Sequence, residues 1–207
     1  EGEKHYEAYG KPLFSSHMLD LSADPIDINI SESARIIERI AKIGMSLEIE
    51  QGVTVGEEDW IFSEFDEAAD NAHLYTQPED VLQAYDLLAP IGHFSVAASF
   101  GNVHGVYKPG NVKLRPEILK NSQTLVQETH GTGNNPLHLV FHGGSGSEKA
   151  KIEEAVSYGV FKMNIDTDTQ FAFSRPVGEF VNANSRAFQY QVDPEDGTPY
   201  KKFYDPR

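Results

Sequence analysis

The feature that most constrains the fold of this chain is a regular alternation between short apolar runs and segments with helical periodicity. Five apolar runs, each ending in polar or glycine residues, have the length and composition of buried strands. They cover residues 13–20, 45–50, 94–101, 137–143 and 160–166. Helix-period segments lie between them, at residues 30–43, 78–88, 116–127 and 147–158. This order predicts an α/β fold with a parallel sheet covered by helices, either doubly wound or closed into a barrel.

Two of the predicted helices begin next to hydroxyl side chains that could cap them. Thr76 precedes the helix at 78–88, and Glu79 follows it three residues later, which is the spacing of a capping box. Ser147 stands at the start of the helix at 147–158. We therefore expect both hydroxyls to bond the first backbone amides of their helices.

Side chains capable of chemistry follow every predicted strand at its C-terminal end. They are Asp20, Glu50, His104, His142 and the group formed by Asn164 and Asp166. Ligands bind at this end of a parallel sheet because the loops after the strands converge there. Residues 51–75 are acidic and aromatic without clean periodicity, so they are predicted to form an active-site loop within a single domain covering residues 1–207.

The length of the chain limits how much of a barrel it can form. An eight-stranded barrel takes about 250 residues, whereas this chain has 207, so we expect an incomplete barrel cut from something longer.

Composition excludes several classes of protein. The net charge of −15 argues against a nucleic-acid surface. Cysteine is absent, so any metal must bind His, Asp or Glu. With no apolar stretch near the ~18 residues of a membrane span and no signal peptide, we expect a soluble, cytoplasmic protein without a membrane partner.

Two glycine-containing loops are candidates for binding anions. Residues 141–147 read Phe-His-Gly-Gly-Ser-Gly-Ser and precede a helix, so glycine amides and the helix N-terminus could hold a phosphate. A tight turn without a ligand is the alternative reading. Residues 100–111 resemble this loop, and Lys108 adds a positive charge that could meet a phosphate or carboxylate.

A metal site is predicted from the two histidines that follow successive strands. His104 and His142 are each followed by glycine, and a carboxylate such as Glu50 or Asp20 completes a set of donors that zinc accepts. A single histidine at a strand end is more commonly structural. The prediction therefore depends on the fold bringing both imidazoles to one place.

Acidic and polar residues in two further segments could act on a substrate. One carboxylate of the run Glu57-Glu58-Asp59 could exchange protons beside a metal, although such runs are usually solvated patches. In the other segment, strand alternation places Asn164 and Asp166 on one face, and Thr167 can add a hydroxyl. Capping of the following helix is the alternative role for Asp166 and Thr167.

Taken together, these segments resemble the class II, metal-dependent fructose-1,6-bisphosphate aldolases. The resemblance covers nearly the whole chain in family order, and the combination of motifs is very specific. The matching stretches are residues 11–20, 47–50, 56–59, 74–79, 100–111, 140–147, 160–170 and 201–207. The resemblance implies a homodimer of (β/α)8 TIM barrels, of which this chain supplies strands 4–8. It also implies reversible cleavage of fructose 1,6-bisphosphate to dihydroxyacetone phosphate and glyceraldehyde 3-phosphate.

The resemblance further assigns roles to individual residues. His104, His142 and Glu50 match ligands of Zn²⁺ or another divalent cation, and Asp20 matches a residue near the metal's alternative position. Glu58 matches the loop acid and base that exchanges protons with the substrate carbanion. Positions that hold phosphate and substrate are matched by Gly105, Lys108, Gly143, Ser145, Asn164, Asp166 and Thr167. Backbone carbonyls of Val103, Gly105 and Gly143 match a Na⁺ or K⁺ site, and Arg207 matches an arginine that reaches the neighbouring subunit's phosphate.

This sequence also departs from the family pattern. The family's Asp-His pair at the end of its third strand does not occur here. We therefore expect the 207 residues of this chain to be inactive by themselves. Val55 and Trp60 stand where the family usually has glycine, which restricts the backbone of the loop that carries Glu58. Two alternatives remain open, a tagatose-bisphosphate aldolase and a non-catalytic module that binds sugar phosphates.

Overall fold

The structure is a computed structural model that describes residues 1–52, 55–56, 75–104 and 113–206, with the backbone alone described at 55–56 and 103–104. The strands are β1 (Ser16–Leu19), β2 (Ser46–Gln51), β3 (Val55–Gly56), β4 (Phe94–Ala98), β5 (Val103–His104), β6 (Leu139–Phe141) and β7 (Val160–Met163). The helices are α1 (Gly2–Tyr9), α2 (Ile26–Ile40), α3 (Pro78–Leu88), α4 (Glu117–His130), α5 (Lys149–Ser157), α6 (Thr167–Ala183), α7 (Ser185–Gln189) and α8 (Lys201–Tyr204). A 3-10 turn, Ala41–Ile43, extends α2.

The five predicted strands form one parallel sheet. Its strand order is β1-β2-β4-β6-β7, and every neighbouring pair is parallel. Strands β3 and β5 form a separate parallel pair. This pair was not predicted, since two residues are too few to show a periodic pattern. The main sheet confirms the α/β class, and a five-stranded parallel sheet is consistent with part of a TIM barrel.

One face of the sheet packs against the helices and forms the hydrophobic core. Leu47 and Ile49 of β2 and Val96 of β4 are fully buried there, together with Ile37 of α2 and Val81 of α3. Because alternate side chains of a strand point to opposite faces, the odd-numbered residues of β2 all reach this layer. Burying each such side chain contributes about 1.5–3 kcal/mol.

The opposite face of the sheet carries charge in a buried setting. Glu48 and Glu50 alternate with the leucine and isoleucine of β2, and both residues are buried. Ala97 stands in register with Glu50 on one side and with Val140 on the other, and both apolar side chains are buried. Buried carboxylates need cationic or hydrogen-bonding partners, so this face is where a functional site is expected.

The ends of β2 and β4 are tied together by Thr76. Its hydroxyl donates to the carbonyl of Gln51 and accepts a 2.7 Å bond from the amide of Ser99. The prediction that this hydroxyl caps α3 is therefore wrong. Gln77 is the N-cap of α3 and makes no side-chain cap bond, although the predicted bounds of that helix are confirmed.

The prediction that Ser147 caps the helix after β6 is also wrong. The turn after β6 runs further than predicted, with the Ser147 amide bonded to the carbonyl of Gly144 at 3.2 Å, so Glu148 is the N-cap of α5. Within the described part of the chain, the Ser147 hydroxyl is buried and has no hydrogen-bond partner.

Phe100 and Arg115 are joined through their backbones beside the end of β4. The amide of Arg115 donates to the carbonyl of Phe100 at 2.8 Å. Gly101 has φ +97°, and a Cβ at this position would lie 2.3 Å from the carbonyl oxygen of Lys113. Glycine therefore allows the backbones at residues 101 and 113 to pass in close contact.

The chain divides into two compact units, residues 1–165 and 166–207. The second unit contains α6, α7 and α8 and is organised around Asp193. Arg186 donates to both carboxylate oxygens of Asp193, at 2.7 and 3.0 Å, and the Tyr200 hydroxyl also donates to it. The expectation of a single domain stays a prediction. Within the described residues, no helix combines the length and apolar character that a membrane crossing requires.

Candidate active site

A histidine and two glutamates meet on the charged face of the sheet. Strand β6 leads directly into His142, whose Nε2 lies 2.9 Å from Oε1 of Glu48. Its other ring nitrogen, Nδ1, lies 3.3 Å from Oε2 of Glu50. The three side chains are 7%, 5% and 5% exposed, respectively. The imidazole is therefore held between two buried carboxylates that stand two residues apart on β2.

A small residue allows this contact to cross an intervening strand. Strand β4 lies between β2 and β6, so the backbones that carry Glu50 and His142 are about 10 Å apart. Ala97 of β4 stands opposite Glu50 on the same face. Because alanine ends at Cβ, the longer side chains can meet above it.

Buried asparagines fix the backbone on both sides of the contact. Asn102 donates from Nδ2 to the carbonyl of His142 at 3.0 Å and accepts from the amide of Phe100 at 2.8 Å. Asn29 donates to the carbonyl of Glu50 at 2.9 Å and to that of Leu21 at 3.0 Å. The strand ends that carry the site are thus linked by hydrogen bonds as well as by the sheet.

The electrostatics of the cluster follow from a lysine that joins it. Lys162 of β7 places Nζ 2.5 Å from Oε2 of Glu48. Burial alone raises the pKa of Glu48, but hydrogen bonds from His142 and Lys162 outweigh burial and hold that pKa below its usual value. Burial lowers the pKa of His142, but hydrogen bonds to Glu48 and Glu50 more than compensate and raise it to about 9. Without a metal, His142 is therefore cationic at neutral pH.

This pairing predicts a loss of stability of the metal-free protein in mild alkali. The pKa of His142 is raised above its unfolded value of about 6.5. Its contribution to stability is therefore fully present below pH 6.5 and is lost as the pH rises to about 9. Urea unfolding at pH 6.5 and 9 should show a falling free energy of unfolding. In His142→Gln the decline should be smaller, since glutamine does not titrate; an equal decline in both proteins would contradict the assignment.

His142 and Glu50 fit a divalent cation. Two ligand atoms about 2.1 Å from a tetrahedral zinc ion stand about 3.4 Å apart, and Nδ1 of His142 and Oε2 of Glu50 are 3.3 Å apart. An imidazole nitrogen with a carboxylate oxygen is also a donor pair that zinc accepts. Among the described side chains, no group of three or more His, Asp or Glu forms a complete metal site. The described pair therefore offers two donor atoms, and a complete site needs further ligands.

The glycine loop after β6 has the backbone geometry of a compact turn. Gly143 and Gly146 have φ of +62° and +71°. The amide of Gly144 donates to the carbonyl of Asn164 at 2.9 Å, and a Cβ there would lie 2.7 Å from Cγ of Met163. Ser145 is buried. The loop is thus packed directly against the end of β7, beside His142.

The remaining predicted residues fall in different places. Asp20 is exposed, and its Oδ1 accepts bonds from the amide and hydroxyl of Ser22 at 2.9 and 2.7 Å. Asn164 continues β7 and donates its amide to the carbonyl of Phe141. Asp166 is the N-cap residue of α6 but makes no side-chain cap bond, and Thr167 begins that helix. Asp166 accepts instead from Gln170 at 2.8 Å.

Several predicted site residues lie outside what the structure describes. Nothing is described of Glu58, Gly105, Lys108 or Arg207, and at Val103 and His104 only the backbone is described. The meeting of His104 with His142, the Na⁺ or K⁺ site and the role of Glu58 therefore stay predictions.

Sequence reasoning missed three residues of the candidate site. Two of them contact His142, and the third contacts Glu48. Glu48, Lys162 and Asn102 were given no role, although all three lie within the predicted strands and loops. Strand alternation contains the signal for the first two. Glu48 shares a strand face with Glu50, and Lys162 shares one with Asn164.

Comparison with known proteins places the chain beside one enzyme family. A family model described as "Fructose-bisphosphate aldolase class-II" matches residues 3–207. A fructose-bisphosphate aldolase of Edwardsiella ictaluri is 56% identical over 209 residues, which cover the whole chain and 58% of that protein. A fructose-bisphosphate aldolase class 2 of Escherichia coli K12 is 53% identical over 214 residues, covering the whole chain and 57% of that protein.

A solved structure shares the fold over the whole chain. The crystal structure of fructose-bisphosphate aldolase from Campylobacter jejuni superimposes with a TM-score of 0.83 at 50% identity. It matches 100% of this chain and 58% of its own. The chain thus spans a little over half the length of the relatives it matches.

Proposed function

Because this chain belongs to the class II fructose-bisphosphate aldolase family, we propose that the full-length protein containing it is a lyase. By full-length protein we mean the polypeptide that carries these residues at the length of its relatives. The proposed reaction is the reversible cleavage of fructose 1,6-bisphosphate to dihydroxyacetone phosphate and glyceraldehyde 3-phosphate. The observation that carries the proposal is the 3.3 Å approach of His142 and Glu50 at the C-terminal ends of parallel strands.

His142 and Glu50 would hold the divalent cation, with His104 as a further ligand and Asp20 near an alternative position. A divalent cation held there would act as a Lewis acid toward the carbonyl of the ketose. The protein's own contribution is to fix the donors. Sheet hydrogen bonds, Asn29 and Asn102 hold the two backbones, so the ligand atoms need little rearrangement.

The glycine loop and the end of β7 bind the substrate in this proposal. Gly143 and Ser145 lie one and three residues after His142, and their backbone amides would hold a phosphate of the substrate. Asn164, whose backbone is bonded to this loop, contacts the sugar. The other phosphate and substrate contacts are proposed for Gly105, Lys108, Asp166 and Thr167.

Proton transfer and assembly complete the proposal. Glu58 exchanges a proton with the carbanion of the three-carbon ketose product. Carbonyls of Val103, Gly105 and Gly143 bind Na⁺ or K⁺, and Arg207 reaches the phosphate of the second subunit in a cytoplasmic homodimer. These roles are supported by family membership and by the positions of these residues in the motifs.

The test is chelation and reconstitution of the full-length protein. Cleavage of fructose 1,6-bisphosphate, measured through a coupled assay of the triose phosphates, should disappear after removal of divalent metal and return with zinc. Tagatose 1,6-bisphosphate, assayed in parallel, should give the lower kcat/KM. Cleavage that persists without divalent metal, or saturable binding of the bisphosphate with no cleavage, would contradict the proposal.

The 207 residues alone provide the control. In the structure β1 and β7 stand at the two edges of the main sheet, and Met18 and Phe161 on them are 45% and 64% exposed. Unpaired parallel edges do not make a closed barrel. We therefore expect no turnover from these residues by themselves, and measurable turnover would show that the missing strands are dispensable.

A further inference from the structure

A line of charged contacts leads to His142, one of the two candidate metal ligands. It runs from Lys162 through Glu48 to the imidazole. Lys162 Nζ lies 2.5 Å from Oε2 of Glu48, and Oε1 of the same carboxylate lies 2.9 Å from Nε2 of His142. The carboxylate side chain is 5% exposed, whereas that of Lys162 is 43% exposed. The buried glutamate thus uses one oxygen for the lysine and the other for the imidazole.

This arrangement decides which nitrogen of the imidazole can bind a cation. A neutral imidazole carries its proton on one nitrogen and a lone pair on the other. An ionised carboxylate only accepts hydrogen bonds, so Nε2 must carry the proton that it donates to Glu48. The lone pair is then left on Nδ1, the nitrogen that lies beside Glu50.

We propose that Glu48 and Lys162 are positioning residues for the metal site, with Glu48 fixing the tautomer and orientation of His142 and Lys162 orienting Glu48. The inference rests on the proposed function only in requiring that His142 bind a divalent cation. A carboxylate behind a histidine ligand raises the basicity of that ligand and holds its ring. Lys162 adds a fixed donor on the far side, so the carboxylate cannot rotate away from the imidazole.

Glu48→Gln in the full-length protein is the most informative substitution because glutamine has nearly the same shape. Lys162 can only donate, so the amide oxygen must face the lysine. The amide NH₂ then faces Nε2 of His142, which must accept. The proton moves to Nδ1, and the nitrogen beside Glu50 loses its lone pair. We expect zinc affinity, measured with zinc alone against a chelator of known affinity, to fall about 10–100-fold.

A second substitution should reverse part of this loss. In Glu48→Gln combined with Lys162→Met, no lysine holds the amide oxygen, so the amide can turn and accept from Nε2 again. Zinc should therefore bind the double variant more tightly than Glu48→Gln alone. Lys162→Met alone should weaken zinc binding measurably, although by less than tenfold. If the pair served only packing, the two losses would add instead.

The matched control is the lysine–glutamate pair on α5. Lys151 and Glu154 are in contact at 2.8 Å and are partly exposed, so Glu154→Gln should leave zinc affinity unchanged. Unaltered zinc affinity in Glu48→Gln, or losses that add in the double variant, would overturn the proposal. So would a full-length protein that binds no zinc. If Glu48→Gln does not fold, Lys162→Met decides through the same titration, because unchanged affinity in that variant excludes the lysine. Zinc binding without sugar cleavage would contradict the proposed function and leave the positioning role intact.

Discussion

Replacing His142 with alanine in the full-length protein is expected to lower kcat/KM for fructose 1,6-bisphosphate by about a thousandfold or more. A Lewis acid contributes several kcal/mol to stabilising a transition state, and each 1.36 kcal/mol is about tenfold in rate. His142 is the one described histidine that touches both Glu48 and Glu50. Its removal takes away a proposed ligand, and zinc content should fall together with activity.

The same substitution should destabilise the metal-free protein. It removes the imidazolium beside Glu50 and leaves Glu48 with Lys162 alone, and breaking a buried pair in this way costs about 3–5 kcal/mol. His130→Ala is the matched control, because His130 pairs with Asp86 at 2.7 Å on the partly exposed surface of α4. Such pairs contribute about 0–1 kcal/mol. Activity within tenfold of the unsubstituted protein in His142→Ala, with zinc still bound, would exclude His142 as a ligand.

Gly101→Ala is expected to destabilise the full-length protein by about 4 kcal/mol. A side chain at φ +97° is strained by about 1–3 kcal/mol. The new Cβ would also lie 2.3 Å from the carbonyl oxygen of Lys113, and relieving such an overlap costs about 1–3 kcal/mol more. Urea unfolding measures the loss. Cleavage should weaken as well, since Gly101 begins the segment that carries His104.

Gly133→Ala separates this effect from the general effect of removing a glycine. A Cβ at Gly133 meets nothing within 4 Å, and its φ is not in the left-handed region. We expect its stability to change by less than about 1 kcal/mol. Equal stability of the two variants would show that residues 101 and 113 can separate without loss.

Much of the fold could be predicted because the strands and helices carry strong local patterns. The run Leu47-Glu48-Ile49-Glu50 occupies β2, and helix α3 has the predicted bounds. The capping predictions failed for a physical reason. The hydroxyl of Thr76 is close in sequence to a helix, but tertiary structure places it between Gln51 and Ser99, which offer a buried acceptor and donor.

Part of the candidate site could also be predicted from local patterns. Strand ends indicate which residues share an edge of the sheet, so Glu50 and His142 could be grouped from sequence. The alternating pattern does not show which side chain crosses a neighbouring strand. The contact between Glu50 and His142 depends on Ala97 leaving space above β4, and the contact between Glu48 and Lys162 depends on the strand order.

The alternation along β2 has a consequence for how the sheet is assembled. If β2 slipped by one residue against β1 or β4, its glutamates would enter the hydrophobic layer and its leucine and isoleucine would face the site. Burying unpaired carboxylates among apolar side chains is strongly unfavourable. The two glutamates proposed for the metal site thus also select the register of β2, since they make misaligned sheets too unstable to persist.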